Sequence, residues 1–484
     1  MKYIHFILMI CLCSLASAEV RSVWVLPWDI TSPALIDEVI ATALDNHQTE
    51  LLVEVRYRSD ALFDTSRGAS QYANPEPRSH VLNNASFDPL AYVLDKGHAA
   101  GLQIHAWVIV FNATPLDAKL LQRNYIYTNH RDWLTVTANG SYLNGDNQFG
   151  YFVDPGVPEV QDYLLNVLCN LVVGYPGLDG LHLDYIRYPD KRLGYHPVSV
   201  TRYNEYVANG NEITFNEWRI MQVTSFVHRL RGMLKELDND LLLSAAVFAD
   251  IADANVAYAQ DWVSWLQLGL VDRVYPMAYN TDFEVYKRQL QQMKLIGKDD
   301  AIIPGLRAWD TNGKSLAVNG KNGYNVTDIA RRIDYTRQHG FGGNALFSYP
   351  GLKVGDAWDQ LKRLAYPELM ASYSINDPDV KQEFGSGFKI NASTGEYIIS
   401  IKVPEEGRWK WEIASDKVVY SRYRYYMQGQ NWDFWNGKLD ASPANSYDGQ
   451  KSYISPGEYR INMQRDGTDE TYSFTVQIDE LELP

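Results

Sequence analysis

Short apolar stretches alternate with amphipathic ones from Arg21 to about Tyr366. The short stretches have the length of buried strands, whereas apolar residues in the longer ones recur every three or four positions, as on one face of a helix. The predicted strands are Ser22–Trp28, Glu50–Arg56, Gln103–Val110, Gly180–Ile186, Leu242–Phe248, Asp272–Ala278, Ala301–Leu306 and Ala345–Tyr349. The clearest predicted helices are Pro33–Asn46, Pro89–Ala100, Glu159–Val173, Asn216–Leu237 and Asn325–His339. This α/β alternation predicts a (β/α)8 TIM-type barrel, with a doubly wound open sheet as the competing architecture.

The pattern changes after Pro367, where apolar and polar residues alternate with period two and no helical stretch intervenes. Short alternating strands separated by turn residues predict a small all-β sandwich of the immunoglobulin or fibronectin-III type. We therefore expect a barrel over residues 19–368, a linker over 369–385 and the sandwich over 386–484. Within the last region, Asn431-Trp-Asp-Phe-Trp-Asn is predicted to be a loop that binds glycan or docks onto the barrel.

The first 18 residues have the pattern of a secretory signal peptide. Lys2 precedes the apolar run Tyr3–Leu15, and Ala16-Ser17-Ala18 supplies small residues for cleavage. We therefore expect an exported protein, periplasmic or extracellular, with no membrane span in the rest of the chain. Its one remaining cysteine, Cys169, lies in a helical stretch and is predicted to be a buried thiol, so no disulfide and no thiolate metal site are expected.

The composition narrows the class of partner. The 484 residues carry a formal net charge of −15, which disfavours nucleic acid because phosphate binding needs clustered lysine and arginine. The chain also holds 13 Trp and 33 Tyr. Flat aromatic faces suit sugar rings, so the partner that we expect is a carbohydrate polymer. The oligomeric state is left open by the sequence.

Polar residues of three predicted strands share the barrel interior. Because side chains alternate along a strand, one face points inward and the other meets the helices. The inward set comprises Glu54 and Arg56, His105 and Trp107, and His182 and Asp184. Enzymes with this fold place their sites at the C-terminal strand ends. Candidate substrate-binding residues at or near those ends are Arg56, Trp107, Arg187, Tyr279, Asn280, Arg307, Trp309 and Tyr349, with His105 deeper. Glu54, His105 and His182 are alternatively a satisfied polar network inside the barrel.

Carboxylates and aromatic residues around one rim are what glycoside hydrolysis requires. One carboxyl group protonates the leaving oxygen, while another attacks the anomeric carbon or activates water. We expect Asp184 to be a catalytic carboxylate, with Asp250 or Asp282 as its partner, because Glu54 should lie one layer deeper. This chemistry needs neither a metal nor a cofactor. The spacing of the two carboxyl groups decides between retention and inversion, and the sequence leaves both open.

Several motifs resemble those of the glycosyl hydrolase-like 10 family. They are Val53-Glu-Val-Arg-Tyr-Arg-Ser-Asp-Ala-Leu-Phe, Phe87-Asp-Pro-Leu, Gly101-Leu-Gln-Ile-His-Ala-Trp-Val, Val153-Asp-Pro-Gly-Val-Pro-Glu-Val, Asp179-Gly-Leu-His-Leu-Asp-Tyr-Ile-Arg-Tyr-Pro and Trp218-Arg219. The resemblance implies an exported or envelope-associated bacterial barrel glycosidase, with hydrolysis of peptidoglycan glycan strands among the family's activities. By motif position it implies Arg56 and Asp60 at the mouth, His105 and Trp107 as floor and wall of the cleft, and Asp184 as the leading catalytic carboxylate.

Two positions depart from the family pattern. Tyr185 stands where many members have a second Asp, and Ala245-Ala-Val-Phe-Ala-Asp replaces a Ser-Pro-Phe-Gly stretch. Because of the first departure, a different class of function stays open, in which the barrel is a catalytically inactive module that binds glycan or another surface. A metal-dependent polysaccharide deacetylase is a third candidate, with His105 and His182 as its candidate ligands but no ligand spacing in support.

Overall fold

The fold is a closed parallel barrel surrounded by helices. The computed structural model describes residues 19–82, 86–142, 150–238, 240–309, 324–353 and 357–366, and six C-terminal segments, 397–403, 407–414, 418–426, 429–435, 457–465 and 471–478. The barrel strands are β1 (Val20–Val25), β2 (Glu50–Arg56), β3 (Gln103–Ile109), β4 (Gly180–Asp184), β5 (Leu242–Phe248), β6 (Arg273–Met277), β7 (Gly305–Arg307) and β8 (Gly343–Phe347). Each strand pairs in parallel with the next, and β8 pairs with β1 to close the barrel. The predicted (β/α)8 architecture is confirmed.

Helices follow the strands and cover their outer faces. The helices are α1 (Pro33–Asp45), α2 (Pro89–Ala99), α3 (Ala118–Leu121), α4 (Tyr125–Asn129), α5 (Pro158–Gly174), α6 (Pro197–Ala208), α7 (Phe215–Leu237), α8 (Ile251–Val256), α9 (Trp262–Gln267), α10 (Phe283–Lys294), α11 (Val326–Gln338) and α12 (Ala357–Ala365). Their starts follow local chemistry: Ser32 and Asp88 accept backbone N–H bonds before a proline at the first helical position. At α7, Thr214 and Glu217 bond reciprocally in a capping box.

The described residues form five short 3₁₀ helices, and three of them overlap predicted strands. They span Pro27–Ile30, Thr65–Arg67, Arg131–Trp133, Asp299–Ala301 and Tyr349–Leu352. Trp28 and Tyr349 were expected to end strands, but both belong to these 3₁₀ turns. The reason is local, because Pro27 and Pro350 have no backbone N–H to donate to a strand ladder.

Two apolar layers hold the barrel together. The larger layer lies between strands and helices and contains the outward residues, such as Val53, Val55 and Leu181. A smaller one fills the interior with Val20, Trp24, Leu52, Trp107, Ile109, Ala246, Tyr275, Ile303 and Ala345. Cys169 is fully buried in α5, and burial raises the pKa of its thiol to about 12, as suits a structural residue.

A buried ionic network lies inside the barrel below the aromatic layer. The guanidinium of Arg273 lies 2.9 Å from the Glu50 carboxylate, and the Tyr275 hydroxyl donates to the same carboxylate at 2.5 Å. Ser22 also donates to it. Both charged side chains are only 1 % exposed. His182 completes the interior polar set by bonding Ser244 at 2.8 Å and by accepting from the Trp24 indole at 3.1 Å.

The strands after residue 396 form two antiparallel sheets. They are β9 (Tyr397–Val403), β10 (Gly407–Ala414), β11 (Val418–Tyr426), β12 (Gly429–Trp435), β13 (Gly457–Arg465) and β14 (Thr471–Ile478). One sheet has the order β11-β10-β13-β14, and the other pairs β12 with β9. The aromatic stretch expected to be a loop is therefore mostly strand β12, since its residues pair with β9 along the whole length. The packing of the two sheets as a sandwich stays a prediction.

The predicted signal peptide, residues 1–18, and the predicted linker, residues 369–385, lie outside the described residues. Within the described ranges, no helix combines the length and the apolarity that crossing a bilayer requires.

The replacement Arg273→Met is expected to leave Glu50 charged and unpaired inside the barrel. Removing one partner of a buried ion pair costs about 3–5 kcal/mol, and urea unfolding of the wild type and the variant measures it. The double replacement Glu50→Met with Arg273→Met should recover much of the loss, because no buried charge remains. A loss below about 1 kcal/mol for the single variant would show that the pair is not a structural requirement.

Candidate active site

Two buried carboxylic side chains at the C-terminal mouth of the barrel are close enough for their charges to interact. Glu54 lies near the end of β2 and Asp184 ends β4, with Trp107 of β3 between them in the sheet. Glu54 is paired in register with Trp107. The exposed fractions of Glu54 and Asp184 are 3 % and 8 %. The Trp107 indole N–H donates to Asp184 Oδ2 at 3.2 Å, and the Tyr185 backbone N–H donates to Oδ1 at 2.6 Å.

The two carboxyl groups occupy unlike electrostatic environments. Burial raises the pKa of Glu54 well above its ordinary value, and the neighbouring Asp184 raises it further. Burial also raises the pKa of Asp184, but the Tyr185 backbone N–H, the charge of Arg187 and the Trp107 hydrogen bond oppose that rise. Among the described residues, no hydrogen-bond donor reaches the Glu54 carboxyl group. The pKa values of both groups are therefore raised, that of Glu54 the more strongly, because the described residues supply only Asp184 with hydrogen-bond donors that oppose the effect of burial.

The turn after β4 positions Arg187 beside Asp184. Tyr185 has a φ of 50°, in the left-handed region that non-glycine residues rarely adopt. The Arg187 guanidinium lies 4.7 Å from the ring centroids of Tyr185 and Phe248 and 5.2 Å from that of Tyr258. Only 7 % of Arg187 is exposed. The aromatic rings thus hold this cation where its charge favours the ionised form of Asp184.

An aromatic wall continues the mouth on the side of β6 to β8. Tyr279 stacks on Phe347 with centroids 5.6 Å apart and meets Trp309 edge-on at 5.1 Å. Phe347 also contacts Trp107 at 6.2 Å, which joins this wall to Asp184. Arg307 lies over Trp309 at 4.7 Å and donates to its carbonyl. The sequence-predicted residues Trp107, Tyr279, Arg307 and Trp309 are thus brought together.

Arg56 is placed differently from the sequence expectation. The register between β2 and β3 shifts just before it, so the period-two pattern that pointed it into the mouth ends there. Its guanidinium instead bonds Glu76 bidentately and donates to the carbonyls of Ile109 and Val110. Tyr163 donates to the same Glu76 carboxylate at 2.8 Å. With 1 % exposure, Arg56 holds the loop after β2 against β3 and does not reach the cleft.

The segment that follows Arg56 is bent by two consecutive left-handed residues. Arg58 and Ser59 have φ values of 54° and 60°. Asp60 comes next, and its Oδ2 accepts from Ser79 at 3.0 Å and lies 3.2 Å from His80 Nδ1. Asp60 therefore anchors the loop near the mouth, while Arg58 is close enough to Glu54 to oppose the rise of its pKa.

Asp250 and Asp282, expected as alternative partners of Asp184, cap helices. Asp250 Oδ1 accepts from the backbone N–H of Asp253 at 3.0 Å at the start of α8. Asp282 is exposed, and its Oδ1 accepts from the backbone N–H of Glu284 at 2.8 Å at the start of α10. Asn280 accepts from the Asp282 N–H in the same turn. Loop residues that follow strands are also the N-caps of the next helices, which is why sequence position alone suggested a catalytic role.

His105 and Tyr349 also lie away from the mouth. His105 is fully buried inside the barrel, with Nε2 3.7 Å from Glu50 Oε2, and burial lowers its pKa. Tyr349 lies against α1, where its hydroxyl is 3.4 Å from Thr42 Oγ1 and 3.5 Å from Glu38. His105 thus belongs to the interior network, and Tyr349 fixes a helix to the barrel.

Three residues of the mouth received little or no weight from the sequence. Glu54 was set aside because it should lie one layer deeper than Asp184, and the register agrees, since Glu54 pairs with Trp107 and Trp107 pairs with His182; its charge nevertheless interacts with that of Asp184. Phe347 could have been found from the period-two alternation along β8, which is visible in the sequence. Arg58 could not be found from alternation, because the left-handed bend that orients it has no simple sequence mark.

In the part of the chain that the structure describes, no three His, Cys, Asp or Glu side chains form a metal-ligand set. His182 bonds Ser244 in the interior, and His105 Nε2 lies 3.7 Å from the Glu50 carboxylate. The arrangement therefore supplies no observation in favour of the deacetylase alternative.

Comparison with known proteins agrees with the resemblance of the motifs. The sequence profile of the glycosyl hydrolase-like 10 family matches residues 19–305, which is more than half of the chain. The chain belongs to the glycosyl hydrolase-like 10 family. This family match covers β1 to β6, ends at the first residue of β7 and includes Glu54, Trp107, Asp184 and Arg187.

Two named relatives of this glycosyl hydrolase-like 10 protein are glycosyl hydrolases. Glycosyl hydrolase DigH of Escherichia coli K12 is 27 % identical over 226 residues, which is 40 % of this chain and 47 % of DigH. Glycosyl hydrolase YngK of Bacillus subtilis is 22 % identical over 252 residues, which is 47 % of this chain and 45 % of YngK. The chain therefore spans about half the length of the curated relatives that it matches.

Among solved structures, the PgaB (BpsB) glycoside hydrolase domain of Bordetella bronchiseptica superimposes on this glycosyl hydrolase-like 10 chain with a TM-score of 0.54. It is 15 % identical, and the match covers 72 % of this chain and 99 % of that domain. At this identity the likeness establishes the shared barrel fold.

If Asp282 is a helix cap, Asp282→Ala should lower the free energy of unfolding by about 1 kcal/mol. Asp282→Asn is the matched control, because asparagine also caps helices and should leave stability nearly unchanged. Urea unfolding of both variants measures the difference. Equal losses for the two variants would contradict the capping role.

Proposed function

We propose that the protein is an exported glycoside hydrolase that cleaves O-glycosidic bonds of a polysaccharide by acid/base chemistry at Glu54 and Asp184. The observation that carries this proposal is the pair of buried carboxyl groups at the barrel mouth. The pKa of Glu54 is raised well above its ordinary value, whereas two hydrogen-bond donors and the charge of Arg187 oppose the rise at Asp184. Membership of the glycosyl hydrolase-like 10 family supports the proposal.

Glu54 acts as the general acid in this proposal. Burial and the adjacent Asp184 raise the pKa of Glu54, so the protonated carboxyl group can donate a proton to the leaving glycosidic oxygen. As the bond breaks, positive charge develops on the sugar ring, and a carboxylate stabilises it. Asp184 is the group whose ionised form is supported, by the Trp107 indole, the Tyr185 amide and the Arg187 charge. It attacks the anomeric carbon in a retaining reaction or activates water in an inverting one.

Aromatic faces at the mouth provide surfaces for sugar rings. Tyr279, Trp309 and Phe347 line one side near Asp184. On the other side Trp28 is 53 % exposed and meets Tyr57 edge-on at 5.7 Å. The exposed Trp28 offers a flat apolar ring face on which a sugar ring can stack. A polymer chain lying between these two walls would pass over the carboxyl pair.

The substrate to test first is the glycan strand of peptidoglycan, since the motif resemblance implies that activity within the family. Export to the periplasm or the cell exterior, as the first 18 residues predict, would bring the enzyme to such a polymer.

Replacing either carboxyl group should abolish most turnover. Asp184→Asn and Glu54→Gln keep the shape of each side chain but remove its charge or its transferable proton, so each should lower kcat by about a hundredfold or more. Release of reducing ends from peptidoglycan glycan strands and from neutral polysaccharides measures this. Asp250→Asn is the control, because asparagine still caps α8 and activity should persist. Near-normal turnover by Asp184→Asn would refute the assignment.

The pH dependence of kcat/KM should be bell-shaped, because activity requires an ionised Asp184 and a protonated Glu54. Trp107→Phe removes the indole hydrogen bond that lowers the pKa of Asp184. That pKa then rises, so the acidic limb of the profile should move to higher pH. Kinetics over the full pH range test this, with circular dichroism to show that the variant is folded. An acidic limb that stays in place or moves to lower pH would contradict the role of Trp107.

A further inference from the structure

A small basic pocket lies at the loop that follows β2, the strand that carries Glu54. Its lining is Tyr57, Arg58, Asp60, Pro77, Arg78, His80, Pro115, Leu120, Arg123 and Asn124. Arg58 links it to the mouth, because its charge acts on both Glu54 and Tyr185. Of the lining residues, only Asp60 was given a role in the sequence analysis, although Tyr57 and Arg58 belong to the same motif.

Positive charge dominates this pocket although the chain as a whole is acidic, with a net charge of −15. Of the described residues, no carboxylate forms an ion pair with Arg58 or Arg123. Arg78 adds a third guanidinium, which also bonds the Phe87 carbonyl. The one acid in the lining, Asp60, directs Oδ2 to Ser79 and His80, and its Oδ1 is buried. A ligand entering the pocket would therefore meet mainly cations.

The pocket is built by specific backbone contacts. The left-handed backbone of Arg58 is held by Asn124, whose amide donates to the Arg58 carbonyl at 2.8 Å and to the Ala113 carbonyl at 2.9 Å. Ser59, the second left-handed residue, accepts from the Arg56 guanidinium at 3.1 Å. Strained backbone of this kind persists only where surrounding contacts hold it. The same Arg56 that fixes β2 to β3 thus helps to present Arg58 to the pocket.

The volume sets the size of the group that fits. The cavity measures about 40 Å³, compared with the roughly 10–15 Å³ that one water molecule needs by the same measure. It has room for a small polar substituent. A carboxylate is small enough to enter, and guanidinium groups bind carboxylates with charge-assisted hydrogen bonds.

We propose that this pocket binds a carboxylate substituent of a sugar next to the scissile bond, so that the substrate is an acidic glycan. The inference rests on the proposed function, since it places the substituent of a substrate that spans Glu54 and Asp184. The carboxylate has two chemical sources, the ring carboxylate of a hexuronic acid and the lactyl ether of a muramic acid, which differ in where the acid is attached to the ring.

Binding to the full chain carrying Asp184→Asn tests the pocket without any need for cleavage. The probes are a tetramer of galacturonic acid, a peptide-free tetrasaccharide of peptidoglycan glycan, and the carboxyl-reduced form of each, titrated by calorimetry. We expect at least one acidic probe to bind about tenfold or more tightly than its reduced form, as the loss of a charged hydrogen-bond partner implies. The acidic probe that binds more tightly than its own carboxyl-reduced form identifies the source of the carboxylate.

Substitutions then assign the preference to the pocket. The test variants are Arg58→Gln and Arg123→Gln, the second at an exposed position that tolerates the change. Each should reduce about tenfold the ratio of the affinity for the acidic probe to the affinity for its carboxyl-reduced form. Lys119→Gln is the matched control, because it removes a positive charge from the exposed part of α3 outside the lining and should keep the ratio.

Three outcomes would overturn the proposal. The first is that neither acidic probe binds more tightly than its reduced form, and the second is a preference that survives both arginine substitutions. The third is that Lys119→Gln reduces the preference as much as the arginine substitutions do, which would indicate general electrostatic attraction. If acidic probes bind as expected but the wild-type enzyme releases no reducing ends from them, the pocket stands and the proposed hydrolase function fails.

Discussion

Parallel pairing of β2, β3 and β4 is the constraint on which the candidate site depends. It brings Glu54, Trp107 and Asp184 to the same end of adjacent strands, and closure of the barrel prevents those ends from separating. Low solvent exposure follows from this geometry, and burial is the largest influence on the pKa of both carboxyl groups. The same closeness raises the pKa of Glu54 through Asp184, so one arrangement of strands produces both the pair and the stronger rise of the pKa at Glu54.

The charged residues of the barrel divide into two layers with different tasks. In the interior, Glu50 and Arg273 neutralise each other at 2.9 Å and leave no charge for a ligand. At the mouth, Glu54 has no hydrogen-bond donor among the described residues, and Arg187 is held mainly by aromatic rings. Polar groups that are satisfied by the protein stabilise a fold, whereas groups left short of partners at a cleft are available to a ligand.

Several elements of the fold followed from sequence patterns, and the reasons are local. The limits of β2 and β5 agree with the predicted ranges, because apolar runs bounded by polar turns specify buried strands. Helix starts at Pro33 and Pro89 follow from capping chemistry within a few residues. The placement of Trp107 and Asp184 followed from alternation along two strands. Arg56 did not, since a register shift ended the alternation that located it.

The sequence by itself determined the barrel class, the family and the strand ends on which Trp107, Asp184 and Tyr279 lie, because these depend on periodicity and on residues close together in the chain. The tertiary structure alone decided which carboxyl groups meet. Glu54 and Asp184 are far apart in sequence and become neighbours only when the sheet forms, while Asp250 and Asp282 are drawn to the nearest helix N-termini. The basic pocket is likewise a tertiary property, since Arg58 and Arg123 come together through a strained bend and a bridging Asn124.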